Sequence, residues 1–194
     1  LRPDLQPERL AALHQVIDDT LARRSLPIPA EALSRLNIEL VGDDPRRTGL
    51  DSGSADLIVS GSTLEHYRTP VLGAILEECR RVIAPAGVMS HFIDLGDHYA
   101  RLDPAIGVYN FLRYTEARWN LFNNPLLFQN RLRISDYRAL HAAAGFRIVT
   151  ETIEGEDPLA LARVPLTRQF QAYPEADLLP VLVWQVSVPV EPGA

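Results

Sequence analysis

Lysine is absent from the 194 residues, and all 19 basic side chains are arginine. Schiff-base chemistry and a lysine general base are therefore excluded. The single cysteine, Cys79, has no partner for an internal disulfide and cannot build a thiolate zinc site. It fits a reducing, cytoplasmic setting. No apolar run approaches the roughly 20 residues that span a bilayer, so no membrane partner is expected. A basic tract is missing too, and with a net charge of −6 nothing suggests nucleic-acid binding. There is no signal-peptide pattern, internal repeat or low-complexity linker. The chain opens on Leu1 rather than methionine, and it is expected to be a piece of something longer.

What is present is ordinary globular composition, 46% hydrophobic and 23% charged, in a length that suits a single domain over 1–194. Leu10, Leu13, Val16, Ile17 and Leu21 recur at helical spacing and predict a helix over Pro7–Arg24, with a shorter one over Pro29–Leu36. Asn37–Val41 reads as a brief buried strand ending at Asp43 and Asp44, and Pro45–Ser54 as a turn-rich loop. The apolar run Asp56–Ser60 has the pattern of a parallel strand covered on both faces.

Thr69 and Pro70 predict a capped helix with Leu72, Ile75, Leu76, Cys79 and Val82 inward, stopped by Pro85-Ala86-Gly87. Val88–Ile93 is the next strand. Ser135 is expected to cap a helix with Tyr137, Leu140 and Ala144 inward and Gly145 as its stop. Phe146–Thr152 and Val181–Val188 are two further strands. Alternating elements of these lengths give an α/β sheet, parallel for most of its width.

Between Tyr99 and Phe128 lie seven of the 14 aromatic residues, mixed with Asn110, Arg113, Asn120, Asn123 and Asn124. This is expected to be a helical, aromatic-rich insertion at about 97–131. Its rings either form a satellite core or, with Asn110 or Arg113, line a pocket for a partly apolar acceptor.

Ligands of open parallel sheets bind at the carboxyl ends of strands. Here those ends are Asp43/Asp44, Ser60–His66 and Asp94–His98. The stretch Asp44–Ser60 resembles the class I S-adenosylmethionine-dependent methyltransferases of the type 11 kind, with an acidic strand end twelve positions before the Asp56 that opens the next strand. Leu64-Glu65-His66 is similar to the family's "LEH" segment. Glu77–Gly87 is similar to its "elrRvLkPgG" helix end, with Ala86 in place of the first glycine. The resemblance spans about Asn37–Thr152.

The resemblance implies a Rossmann-like sheet, mostly parallel with C-terminal antiparallel strands, and incomplete in its N-terminal half. It implies S-adenosylmethionine as cofactor, with Asp44 accepting the adenine amino group, Pro45 beside the ring, and Ser60, Gly61 and Ser62 under the methionine part. It implies methyl transfer to a small-molecule acceptor. The family's glycine-rich loop and the acidic residue that holds the ribose have no counterpart, and no glycine precedes Asn37. Cofactor binding by this chain alone is therefore expected to be weak. The alternative is a non-catalytic methyltransferase-like binding or interaction module. A nicotinamide dehydrogenase would need a dinucleotide fingerprint that is not here.

Among the histidines, His98 is the better general-base candidate, because it follows the strand where substrates would approach. His66 reads mainly as a local packing residue, and His14 and His141 as surface or packing residues. His91, Asp94, Asp97 and His98 read either as a metal cluster or, preferred, as polar residues lining a substrate entrance, so no metal is expected. The two strands this chain lacks relative to the family would leave the Ala55–Ser60 edge exposed. Either Asn37–Val41 moves over to pair with that edge, a second chain covers it, or the missing strands lie outside this sequence. Under the last two the isolated chain is expected to self-associate.

Overall fold

A computed structural model describes residues Ala11, His14, Gln15, Ile17, Asp18, Leu33, Ser34, 37–42, 44–103 and 105–191. The chain divides into two units, Leu1–Asp43 and Asp44–Ala194, taken separately below.

In the first unit the described residues between 11 and 18 are helical, as are Leu33 and Ser34. The remainder of the helices expected over Pro7–Arg24 and Pro29–Leu36 lies outside the described residues. The expected strand Asn37–Val41 does not form. Asn37 takes φ 54°, its N–H donates to Ser34 O at 3.0 Å, and Ile38 N donates to Leu33 O at 2.9 Å. That pair of bonds is a left-handed helix termination, so the asparagine ends a helix instead of opening a strand. The residues beyond it are exposed, Leu40 by 81%.

The second unit is a four-stranded mixed α/β fold. The strands are β1 (Ala55–Gly61), β2 (Ile83–Asp94), β3 (Phe146–Glu154) and β4 (Leu182–Pro189). Their order is β1-β2-β4-β3. β1 and β2 are parallel, with Ser60 opposite His91 and Gly61 opposite Phe92. β4 lies antiparallel to both β2 and β3. The parallel pair and the antiparallel C-terminal strands are as expected from the sequence, but among the described residues only one of the three pairings is parallel, so the sheet is not parallel for most of its width.

β2 begins five residues before the expected Val88. The register passes from Ala55 opposite Ile83 to Leu57 opposite Val88, so the Pro85-Ala86-Gly87 turn is absorbed as an irregularity inside the strand. Gly87 allows this. A Cβ there would lie 2.6 Å from Ile83 Cγ1 and 3.1 Å from Ala55 O.

Helix α1 (Thr69–Val82) connects the parallel strands, as a crossover must. Arg68, in extended conformation, precedes its first turn, and Thr69 is the first helical residue rather than the cap. Leu72, Ile75, Leu76 and Val82 are buried, and Cys79 is half-buried. Full burial of Leu72 and Leu76 contributes about 1.5–3 kcal/mol each. After a short helix α2 (Glu116–Phe122), helix α3 (Ile134–Ala143) packs beside α1. Ser135 is not its cap. The Asp136 carboxylate accepts from Arg133 N at 2.7 Å, so the helix starts two residues earlier. Gly145, at φ 78°, stops it as expected.

α1 and α3 cover one face of the sheet, enclosing Met89, Ile93, Val183 and Phe146 in a main core. Residues 97–131 form short 3₁₀ turns at His98–Arg101 and Asn110–Arg113, and α2. Their aromatic side chains build a second core of Tyr109, Phe111, Leu112 and Trp119 with Leu161, Phe170 and Leu178. Leu161, Phe170 and Leu178 come from the short helices α4 (Pro158–Ala162), α5 (Arg168–Gln171) and α6 (Glu175–Leu178).

Two arginines tie this excursion to the sheet. Arg133 is fully buried, donates from Nη2 to Leu95 O at 2.9 Å, and lies 5.2 Å from the Phe111 ring. Burial brings its guanidinium down to about 10. Arg131 donates to Phe111 O at 2.9 Å and pairs with Glu116 at 2.6 Å.

Candidate functional site

The carboxyl ends of β1 and β2 lie side by side, and the chain turns sharply there. Ser62 sits in the left-handed region at φ 46°, a conformation that costs a non-glycine residue about 1 kcal/mol or more. The turn is pinned by Ser62 N donating to Phe92 O at 2.9 Å and Thr63 Oγ1 donating to Gly61 O at 2.9 Å. A Cβ built on Gly61 would meet nothing within 4 Å, so the backbone there faces open space. Ser60 Oγ lies 2.8 Å from His91 Nδ1.

Beyond the turn, Leu64–His66 forms a 3₁₀ turn. Asn130 anchors it, its N–H donating to Glu65 O at 2.7 Å and its side-chain amide to Leu64 O and Tyr67 O. The anchoring buries the Glu65 side chain to 1% exposure, with neither carboxylate oxygen hydrogen-bonded, among the described residues, beyond Glu65's own backbone N–H. Burial pushes its carboxyl above the usual range. His66 is exposed, and its Nδ1 lies 2.7 Å from Phe128 O. A carbonyl only accepts, so Nδ1 carries the proton.

At the end of β2, the buried Asp94 accepts from Gly96 N at 2.8 Å, pairs with Arg101, and lies 3.2 Å from His98 Nε2. Burial raises the Asp94 carboxyl, but His98, the Gly96 N–H and Arg101 outweigh it and hold the group below its ordinary value. Asp97 accepts from Tyr99 N at 2.9 Å and from the Asn110 amide at 3.2 Å, and burial pushes it up.

The structure brings Ser60, Gly61, Ser62 and His98 to the same end of the sheet. A cavity of about 190 Å³ is lined by His98, Tyr99, Arg101, Leu102, Leu127 and Gln129. A second of about 410 Å³ is lined by Asp97, Asn110, Tyr114, Trp119 and neighbours. Most of the aromatics build the second core, and Tyr99, Tyr114, Trp119 and Phe122 also wall the second cavity.

Asp44 and Pro45 are elsewhere. The Asp44 carboxylate is held by Arg46 through Nε at 2.9 Å and Nη2 at 2.8 Å, which lowers it to about 2. It lines a depression with Arg47, Glu77, Glu78 and Arg81, beside the C-terminal half of α1. That end of α1 leads into the start of β2. β1, seven residues and so roughly 20 Å long, runs from there to Ser60–Ser62.

The four-residue metal reading does not assemble. His91 is buried on the helix-covered face, its ring 5.8 Å from that of His141, away from Asp94 and Asp97. His98 instead meets His66 with ring centroids 5.1 Å apart, and Glu65, His66 and His98 each offer a donor atom within 4.8 Å of the others. Sequence reasoning missed Glu65. The available signal was an acid and a histidine adjacent to each other just past a parallel strand.

Residues 7–90 match the family model of a methyltransferase domain. No curated protein matches the chain. Among solved structures, the Haloferax volcanii complex between the Trm112 methyltransferase activator and a methyltransferase contains a chain 15% identical to this one. It covers 84% of this chain and 69% of that chain, at a TM-score of 0.47. A Bacillus halodurans protein described as a methyltransferase is 13% identical over 79% of this chain and 76% of its own, at 0.45. The 1,6-didemethyltoxoflavin-N1-methyltransferase of Burkholderia thailandensis, solved with 1,6-didemethyltoxoflavin and S-adenosylhomocysteine, is 15% identical over 86% of this chain and 58% of its own, at 0.47.

Proposed function

We propose, for a chain whose residues 7–90 match the family model of a methyltransferase domain, S-adenosylmethionine-dependent transfer of a methyl group to a small-molecule acceptor at the carboxyl ends of β1 and β2. The observation that carries this reading is the open space at Gly61, beside a Ser62 held in a left-handed turn. A backbone kept bare at a strand end lets the amino-acid part of a ligand approach closely.

S-adenosylmethionine, when bound, supplies an electrophilic methyl group on a sulfonium. The chain's task is then mainly positioning. In this reading Ser60, Gly61 and Ser62 form the floor of the methionine part. The acceptor occupies the cavity of about 190 Å³ lined by His98, Tyr99 and Leu127, where His98 is the group placed to take its proton. Asp44 and Pro45 would serve the adenine only if the loop that carries them is repositioned and Arg46 releases the carboxylate.

That last requirement favours one second reading, a methyltransferase-like module that binds without catalysis. The test is ligand-observed NMR with S-adenosylhomocysteine on this chain and on Gly61→Val. Because only the Ser60–Ser62 side of the site is assembled, binding is expected near or weaker than about 1 mM, roughly −4 kcal/mol. The Gly61→Val side chain would fill the open space without disturbing the fold, and the signal should vanish. A signal unchanged by Gly61→Val overturns the placement. Binding without methyl transfer to any acceptor leaves the second reading.

A further inference from the structure

Glu65 carries a carboxylate that the protein buries and does not pair. It is 1% exposed, and among the described residues neither oxygen has a hydrogen-bond partner beyond Glu65's own backbone N–H. Burying such a group alone is costly, and proteins that do so pair it, protonate it or place it on a metal. His66 and His98 are among its polar neighbours, with Asp94 and Tyr137 also within reach of its charge, and the donor atoms of the two histidines lie with its own within 4.8 Å of one another.

From this geometry we propose that Glu65, His66 and His98 form a divalent transition-metal site at the carboxyl end of the parallel pair. One carboxylate and two imidazoles, without thiolate, suit zinc, cobalt, manganese or iron rather than magnesium or calcium. Both histidines are supported as metal-binding rings usually are. Phe128 O takes the Nδ1 proton of His66 and leaves Nε2 free to bind. Asp94 Oδ2 stands 3.2 Å from His98 Nε2, within ion-pair distance of that ring. A tetrahedral ion with bonds of about 2.1 Å sets its donors about 3.4 Å apart, so the three groups close by small side-chain rotations.

Three protein ligands leave a coordination position open, the arrangement of catalytic rather than structural sites. Exposed His66 lets solvent reach it, and the cavity of about 190 Å³ beside His98 leaves room for an acceptor atom. The inference rests on the methyl-transfer reading only for what the metal would do: polarise the acceptor, with His98 as ligand rather than free base.

Cobalt(II) titrated into the 194-residue chain tests it, followed by visible d–d absorption with zinc as competitor. Saturable binding is expected, weakened at least about 10-fold in Glu65→Gln and in His66→Asn, the scale seen even for groups that merely support a ligand. His66 is exposed, so its variant keeps the fold if Glu65→Gln does not, and His14→Asn should bind as the parent does. No cobalt binding, or affinity unchanged from the parent in both Glu65→Gln and His66→Asn, overturns the site. The NMR signal of S-adenosylhomocysteine and its loss in Gly61→Val are read separately, so the metal inference and the methyl-transfer reading fail independently.

Discussion

Ser60 on β1 and His91 on β2 stand opposite each other in the parallel register, and their side chains meet, Oγ to Nδ1, at 2.8 Å. The contact places a neutral imidazole inside the main core, where burial and then the nearby His141 bring it down to about 4 from 6.5. Burial lowers His141 as well. An unfolded chain takes up the His91 proton near pH 6.5, while folded His91 resists until about pH 4. Stability is therefore complete above pH 6.5 and is lost as pH falls from 6.5 toward 4. For His91 alone the loss is on the order of 3 kcal/mol. Urea melts at a series of pH values should show this slope, and His91→Gln should flatten it. A slope equally steep in the variant would assign the effect to other groups.

Gly87 is the second sensitive point. The Cβ of an alanine would press on Ile83 Cγ1 at 2.6 Å and on Ala55 O at 3.1 Å, inside the irregular start of β2. The Ile83 side chain can give way, but the Ala55 carbonyl belongs to the neighbouring strand. Gly87→Ala should cost about 1–3 kcal/mol, the range of core overpacking, measured as a lower urea midpoint at unchanged m-value. Gly73, in α1, has no atom within 4 Å of a built Cβ. Gly73→Ala should instead gain a few tenths to about 1 kcal/mol of helix propensity.

The sheet was legible because each strand is an apolar run or alternation bounded by turn residues, and the helix between the parallel strands shows its inward stripe. Local signals failed where one residue serves two elements. Asn37 reads as a strand opener beside Ile38 and Leu40, yet its tolerance of positive φ makes it a helix terminator. Pro85-Ala86-Gly87 reads as a full stop but is carried inside β2, because Gly87 lets two backbones approach. Ser135 is a better cap by type than Arg133, but Asp136 reaches back to Arg133 N and decides the boundary. In the site, Gly61 and His98 could be placed from strand ends alone. The convergence of Glu65, His66 and His98 could not, because it depends on the Asn130 anchor and the His66–Phe128 contact, which join residues more than sixty positions apart.

The last expectation concerns β1. It pairs with β2 on one side and is the terminal strand of the sheet among the described residues, so its outer row of N–H and C=O groups has no ladder partner there. Leu57 and Val59, on the face that α1 and α3 do not cover, are 60% and 66% exposed. Trp184, from β4, is 52% exposed. No lysine, proline or charge interrupts Leu57–Gly61, the devices by which natural edge strands refuse partners. An apolar edge beside an apolar face is a template for another copy of the same chain. Sedimentation velocity should show mass rising with loading concentration. Leu57→Arg with Val59→Arg should abolish that rise without lowering the melting temperature, since both positions are exposed and the arginines only charge the edge. A chain that sediments as a monomer at every concentration, or a double variant that associates like the parent, would mean that this edge is already covered in solution.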